Sequence, residues 1–127
     1  MTFEAWIGRE VRAKDRLGDA LAARWLATFD LPHPNPAIMP QGIHYALCAP
    51  DVATERLGAD GHPARDDTSA SFLPPFAMPR RMWASSKIAF HAPIAIGAMI
   101  ERVSRIASVS EKEGGSGRLA FVDVAHH

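Results

Sequence analysis

The sequence predicts an α+β domain, and three features of the chain support that prediction. An alanine-rich apolar segment near the N-terminus has the four-residue spacing of a helix. Nine of the ten prolines fall between Pro32 and Pro79, where they disfavour both helix and sheet. After residue 82, segments rich in β-branched residues alternate with short turns, as in antiparallel strands. A length of 127 residues suits one domain, spanning residues 1–127.

The predicted helix runs from Leu17 to Phe29 in an otherwise helical N-terminal third. Its large apolar residues recur every four positions, at Leu17, Leu21, Trp25 and Phe29. This spacing is typical of a helix face that packs against a core. We expect Asp15 or Asp19 to cap the first turn, and Leu31-Pro32 to end the helix.

The middle of the chain, residues 32–79, is expected to be largely irregular. A short helical or buried segment is predicted from Gly42 to Cys48, where apolar residues cluster. The polar stretch from Ala49 to Ser71 is typical of a long surface loop.

Three strands are predicted in the C-terminal third. The first is Trp83 to Ile94, in which Ile88 and Phe90 lie on one face and Lys87 on the other. Ala95 to Ala98 is a turn, and the second strand is Met99 to Val109, favoured by its β-branched content. A loop from Glu111 to Gly117 precedes the last strand, Arg118 to His126. We expect these strands to form an antiparallel meander.

Composition excludes several classes of protein. Fourteen Lys and Arg balance 14 Asp and Glu, so no basic excess exists to bind nucleic acid. No apolar run approaches the length of a membrane span, and the acidic start does not suit a secretory signal. The single cysteine, Cys48, is expected to be a small buried residue in a reducing cytoplasm. His62 and His91 lack the spacing of metal ligands, so no metal site is expected.

A series of motifs follows residue 72: F-L-P-P, P-R-R-M-W, F-H-x-P-[IV], E-R-x-S-R-I and E-K-E-G-x-S-G-x-L-x-F-V. Trp6-Ile7-Gly8-Arg9 and Gly61-His62-Pro63 lie ahead of them. In this order and spacing the chain resembles the N-terminal hot-dog domain of MaoC-like acyl-thioester dehydratases and hydratases, of the mesaconyl-CoA and itaconyl-CoA hydratase type. The resemblance covers nearly the whole chain.

The resemblance implies a hot-dog fold, in which an antiparallel sheet wraps around a helix and two such units pair. Members of this family hydrate an enoyl thioester or dehydrate a 3-hydroxyacyl thioester, with an Asp and a His as the usual acid and base. No separate cofactor is implied, because coenzyme A or the pantetheine of an acyl carrier protein is part of the substrate.

The family's catalytic motif, G-D-x-N-P-x-H, has a degenerate counterpart here. Asn35 and Pro36 match it, but His33 stands at the Asp position and Ile38 at the His position. Isoleucine transfers no proton, so we expect no catalytic residue in this segment. The alternative is that His33 or His44 substitutes as a proton carrier.

Two arginine pairs are candidates for ionic contacts. Arg80 and Arg81 suit the phosphates of coenzyme A, and the alternative is a solvated or ion-paired surface pair. Arg102 and Arg105 lie on the second predicted strand, where we expect cross-strand ion pairs. Their expected partners are Glu101, Glu111 or Asp123.

These features lead to one interpretation of function and two alternatives. We expect the non-catalytic half of an enoyl-thioester hydratase or dehydratase, whose acid and base lie on a second hot-dog domain or subunit. The alternatives are a free-standing acyl-CoA-binding module and a thioesterase. Because the last strand would leave an open edge, we expect a homo- or heterodimer built by sheet extension, without nucleic acid or membrane as a partner.

Overall fold

A computed structural model of the protein describes residues 2–127. In this part of the chain there are one α-helix and five strands, all antiparallel where their pairing is defined: β1 (Glu10–Arg16), α1 (Asp19–Thr28), β2 (Ile38–Met39), β3 (Ile94–Ala95), β4 (Met99–Gly114) and β5 (Gly117–His126). Single turns of 3-10 helix lie at Glu4–Trp6, Ile43–Ala46 and Thr54–Arg56. One sheet has the order β1-β4-β5, and β2 pairs with β3 in a second, two-stranded sheet.

Two compact units make up the chain. The first contains residues 2–12, 50–82 and 102–127, and the second contains residues 13–49 and 83–101. The interpretation of residues 1–127 as a single domain stays a prediction.

Strand β1 was not predicted, and it replaces part of the expected helical N-terminal third. Its residues are mostly charged, and the apolar exceptions, Val11 and Ala13, give only a short and weak alternating pattern. As an outer strand of the sheet it presents polar side chains to solvent, as edge strands commonly do. Its position therefore depends on pairing with a distant segment rather than on its own pattern.

Helix α1 packs its apolar face into the core of the second unit, as predicted. The buried residues of this core are Leu17, Ala22, Leu26, Met39, Ile43 and Leu47. Leu21 and Trp25 flank the buried face of the helix and are half-buried. Phe29 is 54% exposed, so its expected place in the core was wrong. Phe29 is the first residue after α1 and lies beyond the buried residues of the core. Its ring packs on Trp25 instead.

Backbone groups rather than acidic side chains define the ends of α1. The N-cap is Gly18, with no side-chain hydrogen bond, so the expected caps Asp15 and Asp19 do not act as such. At the other end Asp30 adopts a left-handed backbone (φ 52°). The amides of Asp30 and Leu31 donate to the carbonyls of Ala27 (3.3 Å) and Leu26 (2.9 Å). This Schellman arrangement ends the helix before Pro32.

Strands β4 and β5 form the predicted C-terminal hairpin, with longer arms than expected. Residues Glu111 to Gly114 belong to β4, and only Gly115 and Ser116 connect Gly114 to its partner Gly117. The predicted loop from Glu111 to Gly117 was therefore too long. The register shifts by one residue between Ile106 and Ser108, which makes Ala107 a β-bulge.

The segment from Trp83 to Ile94 is not the strand that was predicted. Regular pairing begins only at β3, and residues 80–91 have no regular secondary structure. The side chains of Trp83 (77%), Ile88 (43%) and Phe90 (46%) are exposed. The two-residue spacing of Ile88 and Phe90 fits a strand, but residues 2–127 supply no neighbouring strand for it.

The polar stretch from Ala49 to Ser71 is an irregular surface loop, as predicted, apart from the 3-10 turn and one bridge between Leu57 and Pro63. Its end is fixed at Ser71, whose carbonyl oxygen accepts from Trp6 Nε1 (3.0 Å) and Arg9 Nη1 (2.7 Å). The predicted short segment at Gly42 to Cys48 contains the second 3-10 turn. Among the described helices, none is long and apolar enough to cross a bilayer.

Candidate functional site

A cleft of ≈ 190 Å³ lies in the second unit. Residues 39–44 and 90–94 line it, and we call it the histidine cleft because His44 and His91 are its ionisable side chains. The pairing of Met39 with Ile94 joins the two lining segments through β2 and β3. The backbone pairing thus holds both walls of the cleft together.

Local structure positions His44 in this cleft. The 3-10 turn Ile43–Ala46 begins after Gly42, whose φ of 108° is left-handed and suits glycine. The His44 ring packs on Tyr45 (centroids 4.2 Å apart) and lies edge-on to Phe90 (5.7 Å). These contacts hold the imidazole at the wall of the cleft.

The degenerate motif lies just before the cleft. His33, Asn35 and Pro36 are exposed in the irregular segment after α1, and Ile38 is in β2 opposite Ala95. Met39, the residue after Ile38, lines the cleft, but the residues of the motif do not. Of the two weak catalytic candidates, the structure therefore places His44 in a cleft and leaves His33 outside it.

His91 belongs to the same cleft, and sequence reasoning missed it. In the sequence, His91 was interpreted only as a possible metal ligand, and its spacing argued against that role. Its motif, F-H-x-P-[IV], was the available signal, because Phe90, His91 and Pro93 all line the cleft. Within residues 2–127, no group of three or more His, Cys, Asp or Glu side chains could hold a metal ion.

Arg80 and Arg81 lie in the first unit, where both are exposed. A third arginine, Arg65, supports the segment that leads to them: its guanidinium donates to the carbonyl oxygens of Phe76 and Met78, both at 2.6 Å. Arg65 also forms an ion pair with Asp67 (3.4 Å). We call Arg65, Arg80 and Arg81 the arginine patch.

Electrostatics within the arginine patch favour an anion. Partial desolvation and then the positive charge of Arg65 lower the pKa of the Arg81 guanidinium, and the charge of Asp67 opposes this shift. Guanidinium groups stay protonated near neutral pH, so the patch retains its positive charge. A bound anion would relieve the repulsion between Arg65 and Arg81. The assignment of Arg80 and Arg81 to coenzyme A phosphates stays a prediction.

The expected ion pairs of Arg102 and Arg105 with Glu111 or Asp123 were wrong. Glu111 pairs with Arg118 instead (2.8 Å), and Asp123 accepts a hydrogen bond from the hydroxyl of Ser108 (2.6 Å). Glu111 lies in β4 beyond the bulge and Asp123 lies in β5 opposite Ser108, so the register of the hairpin sets the partner of each.

A separate polar cluster surrounds Arg102 on this sheet. The Nε of Arg102 is buried without a hydrogen bond. Nearby, Ser104 Oγ and His126 Nδ1 are 2.7 Å apart across the hairpin. Burial and then the charge of Arg102 lower the pKa of His126. The low pKa favours a neutral His126, which suits a hydrogen bond to a buried hydroxyl.

Cys48 is a buried small side chain, as predicted, at 7% exposure. Its Sγ donates a weak hydrogen bond to the carbonyl of Ala13 (3.7 Å), and its amide donates to Asp15. These contacts give Cys48 a structural role in the second unit.

Within residues 2–127, the single α-helix and the antiparallel sheets are those of an α+β protein and are consistent with the hot-dog class. Residues 42–127 match the family of hydroxyacyl-thioester dehydratases type 2, and the chain belongs to this family. The family likeness and the hot-dog fold class inferred from the sequence motifs are thereby confirmed.

A curated relative extends the likeness to nearly the whole chain. Over 125 residues the chain is 37% identical to mesaconyl-C(4)-CoA hydratase of Chloroflexus aurantiacus. The similarity covers 96% of this chain but only 43% of the relative. The chain thus spans less than half the length of the curated relative that it matches.

Proposed function

We propose that this chain is the non-catalytic half of an enoyl-thioester hydratase or 3-hydroxyacyl-thioester dehydratase, which completes the sheet and shapes the acyl pocket. The observation that carries the proposal is Ile38, which stands where the family motif has its histidine. The match to less than half of a hydratase supports it, since the other part of such an enzyme has room for a second hot-dog domain.

The chemistry of hydration explains why a second half is needed. Water adds across the double bond of the enoyl thioester: its oxygen bonds to C3, and a proton is delivered to C2. A base must take a proton from the water, and donors must stabilise the enolate oxygen as it forms. Ile38 serves neither purpose, so the acid and base come from the partner half.

The arginine patch is the proposed contact for the carrier of the acyl group. Guanidinium groups bind phosphate oxygens with paired hydrogen bonds, and coenzyme A supplies such phosphates. The pantetheine arm belongs to the substrate, whether it is carried by coenzyme A or by a carrier protein. The chain then needs no separate cofactor.

The extended segment around Trp83 is the proposed contact with the partner half. Trp83 and Ile88 are exposed and apolar, and their backbone lacks a neighbouring strand within the described chain. The outer strands β1 and β5 also offer edges for sheet extension. The partner is a second hot-dog domain or subunit, in a homo- or heterodimer.

A reducing cytoplasm suits the buried thiol of Cys48.

An assay of enoyl-thioester absorbance tests the proposal. Crotonyl-CoA and a branched dicarboxylic enoyl-CoA are supplied to the chain alone, and to the chain with a second half bearing the intact Asp and His of G-D-x-N-P-x-H. We expect turnover only with both halves, because each general acid or base contributes about 10² to 10⁴ in rate. The second half with its His changed to Ile is the matched control.

Two outcomes would overturn the proposal. Robust turnover by the chain alone would assign catalysis to its own residues, and His44→Phe would then identify the proton carrier. Binding of acyl-CoA without turnover in any combination would instead favour an acyl-binding module.

A further inference from the structure

We propose that Arg102 is a docking residue, which binds the carboxylate of an Asp or Glu side chain on the second half of the hydratase or dehydratase. The site consists of Arg102, Ser104 and His126, which we call the Arg102 cluster. The existence of a second half rests on the proposed function. The need of Arg102 for an acceptor follows from its own surroundings.

Strand pairing places the Arg102 cluster on one face of the sheet. Arg102 and Ser104 are two residues apart in β4, so their side chains point to the same side. Ser104 is paired with His126 of β5, and Ser104 Oγ lies 2.7 Å from His126 Nδ1. Arg102 is thus a diagonal neighbour of His126 across the hairpin, within reach of a long side chain.

The guanidinium of Arg102 lacks an acceptor in the described part of the chain. Its Nε is buried without a hydrogen bond, and residues 2–127 offer the group no ion pair. A charged donor that is removed from water without an acceptor costs free energy, and native structures rarely keep one. The charge also acts on His126, whose pKa is lowered by burial and then by Arg102. An acceptor from outside residues 2–127 removes the cost of the unpaired donor.

Charge complementarity identifies the acceptor as a carboxylate. Two acidic side chains of the same hairpin are engaged elsewhere: Glu111 pairs with Arg118 (2.8 Å), and Asp123 accepts from Ser108 (2.6 Å). A carboxylate accepts two parallel hydrogen bonds from a guanidinium and neutralises its charge. An Asp or Glu side chain therefore suits Arg102 better than a neutral carbonyl oxygen does.

The position of the cluster favours the second half as the source of this carboxylate. In the sheet order β1-β4-β5, β5 is an outer strand, and no strand among residues 2–127 pairs with its free edge. An element that pairs with this edge brings its own side chains beside His126 and Arg102. The chain matches only 43% of the curated relative, so the rest of such a protein can supply that element.

Association of the two halves, measured without substrate, tests the inference. The chain is mixed with the second half used in the hydratase assay, and sedimentation velocity gives the dissociation constant. Arg102→Met keeps an unbranched side chain and removes the charge and the donors. It should weaken association about thirtyfold or more, as expected when one partner of a buried charge pair is lost. Arg102→Lys keeps the charge without the paired donors and should give an intermediate dissociation constant.

The matched control is Arg118→Met, which removes an arginine of the same hairpin that already pairs with Glu111. This variant should bind the second half as the unaltered chain does. The stability of the chain alone separates docking from an internal structural role. Because Arg102 has no acceptor there, Arg102→Met should leave the melting temperature unchanged or raise it.

A double-mutant cycle identifies the carboxylate. Each Asp and Glu of the second half is changed to its amide and paired with the unaltered chain and with Arg102→Met. One of these changes should weaken association with the unaltered chain and have no further effect on association with Arg102→Met.

Several results would overturn the inference. These are halves that do not associate, equal dissociation constants for the unaltered chain and Arg102→Met, a lower melting temperature of Arg102→Met alone, and a cycle without coupling. Stabilisation by acetate through Arg102, with unchanged association, would assign the cluster to a dissolved anion instead. Halves that associate through Arg102 without turnover contradict only the proposed function. Turnover by halves whose association ignores Arg102→Met contradicts only the docking role.

Discussion

Asp15 Oδ2 accepts a hydrogen bond of 2.8 Å from the backbone amide of Cys48, which lies 33 residues later in the chain. The other oxygen of the carboxylate accepts from the amide of Arg16 (2.7 Å). Cys48 has a φ of 59°, a conformation uncommon outside glycine. The carboxylate therefore joins the end of β1 to a backbone turn that follows the 3-10 segment of the histidine cleft.

This contact predicts a pH dependence of stability. The hydrogen bond from the amide of Cys48 is the largest cause that lowers the pKa of Asp15 below 3.8, and the amide of Arg16 is the second. Burial opposes this shift with a smaller effect. A lowered folded-state pKa means that the stabilisation is present above 3.8 and is lost as the pH falls through the lower value. We expect Asp15→Ala to lower the melting temperature at neutral pH. In acid, the difference in melting temperature between this variant and the unaltered chain should become smaller.

Thermal unfolding followed by circular dichroism, from neutral pH to below the pKa of Asp15, checks this. Asp15→Asn is the control, because its amide oxygen accepts one bond without titrating. A gap that stays constant at every pH would contradict the ionic role of Asp15.

The second prediction compares two residues on the same helix. Leu26 is 3% exposed in the core of the second unit, whereas Phe29 is 54% exposed. Leu26→Ala should destabilise the fold by about 2 to 5 kcal/mol through a cavity. Phe29→Ala should cost only about 0.5 to 1.5 kcal/mol, from its ring contact with Trp25. Chemical denaturation gives both values, and a larger loss for Phe29→Ala would contradict the placement of the helix.

These elements also show what the sequence could predict. Helix α1 and strands β4 and β5 follow from local periodicity, because each buries one face of its own pattern. Strand β1 and the segment after Trp83 were misassigned for one shared reason: backbone pairing with a distant partner decides both. Among residues 2–127, residues 10–16 have such a partner and residues 83–91 do not.

The candidate site was predictable in part. The motif placed Ile38 and the weak candidate His44, since both lie on short contiguous segments. His91 was missed because its relation to His44 depends on the pairing of β2 with β3, in which Met39 meets Ile94 from a distant part of the sequence.

The third prediction concerns the arginine patch. Changing Arg80 and Arg81 to Ala should weaken binding of coenzyme A, at about 1.5 to 3 kcal/mol for each well-made contact. Isothermal calorimetry on the folded variants measures the loss. Arg118→Ala removes an exposed arginine of the β4–β5 hairpin and is the matched control. Unchanged affinity in the double variant would return Arg80 and Arg81 to the interpretation as a surface pair.

The fourth prediction makes Arg65 a positioning residue. Its bonds to the carbonyls of Phe76 and Met78 fix the segment before Arg80. Arg65→Gln should weaken coenzyme A binding by about tenfold. The segment that leads to Arg80 and Arg81 is then no longer held in place, so these two side chains lose their positions for the ligand. Binding of pantetheine, which lacks the phosphates, should not change. An equal loss for both ligands would indicate a general structural defect instead.

The fifth prediction concerns assembly. The combined change of Trp83 and Ile88 to Ser should weaken association with the second half, because burying each apolar side chain is worth about 1.5 to 3 kcal/mol. Sedimentation velocity with the partner half measures the dissociation constant. Val52→Ser, at another exposed apolar side chain, is the control. Association that survives the double change would place the interface elsewhere.

The bulge at Ala107 sets the phase of the longest strand. The residues paired with Ser104, Ile106 and Val109 are His126, Val124 and Val122, which alternate along β5 and so share one face. The residues of β4 on this face therefore change from even to odd numbers at the bulge. Deleting Ala107 would remove the bulge and its local bend, and it would leave an unbroken ladder in which residues 108–114 keep their β5 partners and their faces. One inserted alanine thus changes which sequence positions face each side of the sheet, while residues 104–106 and 108–114 stay paired with β5.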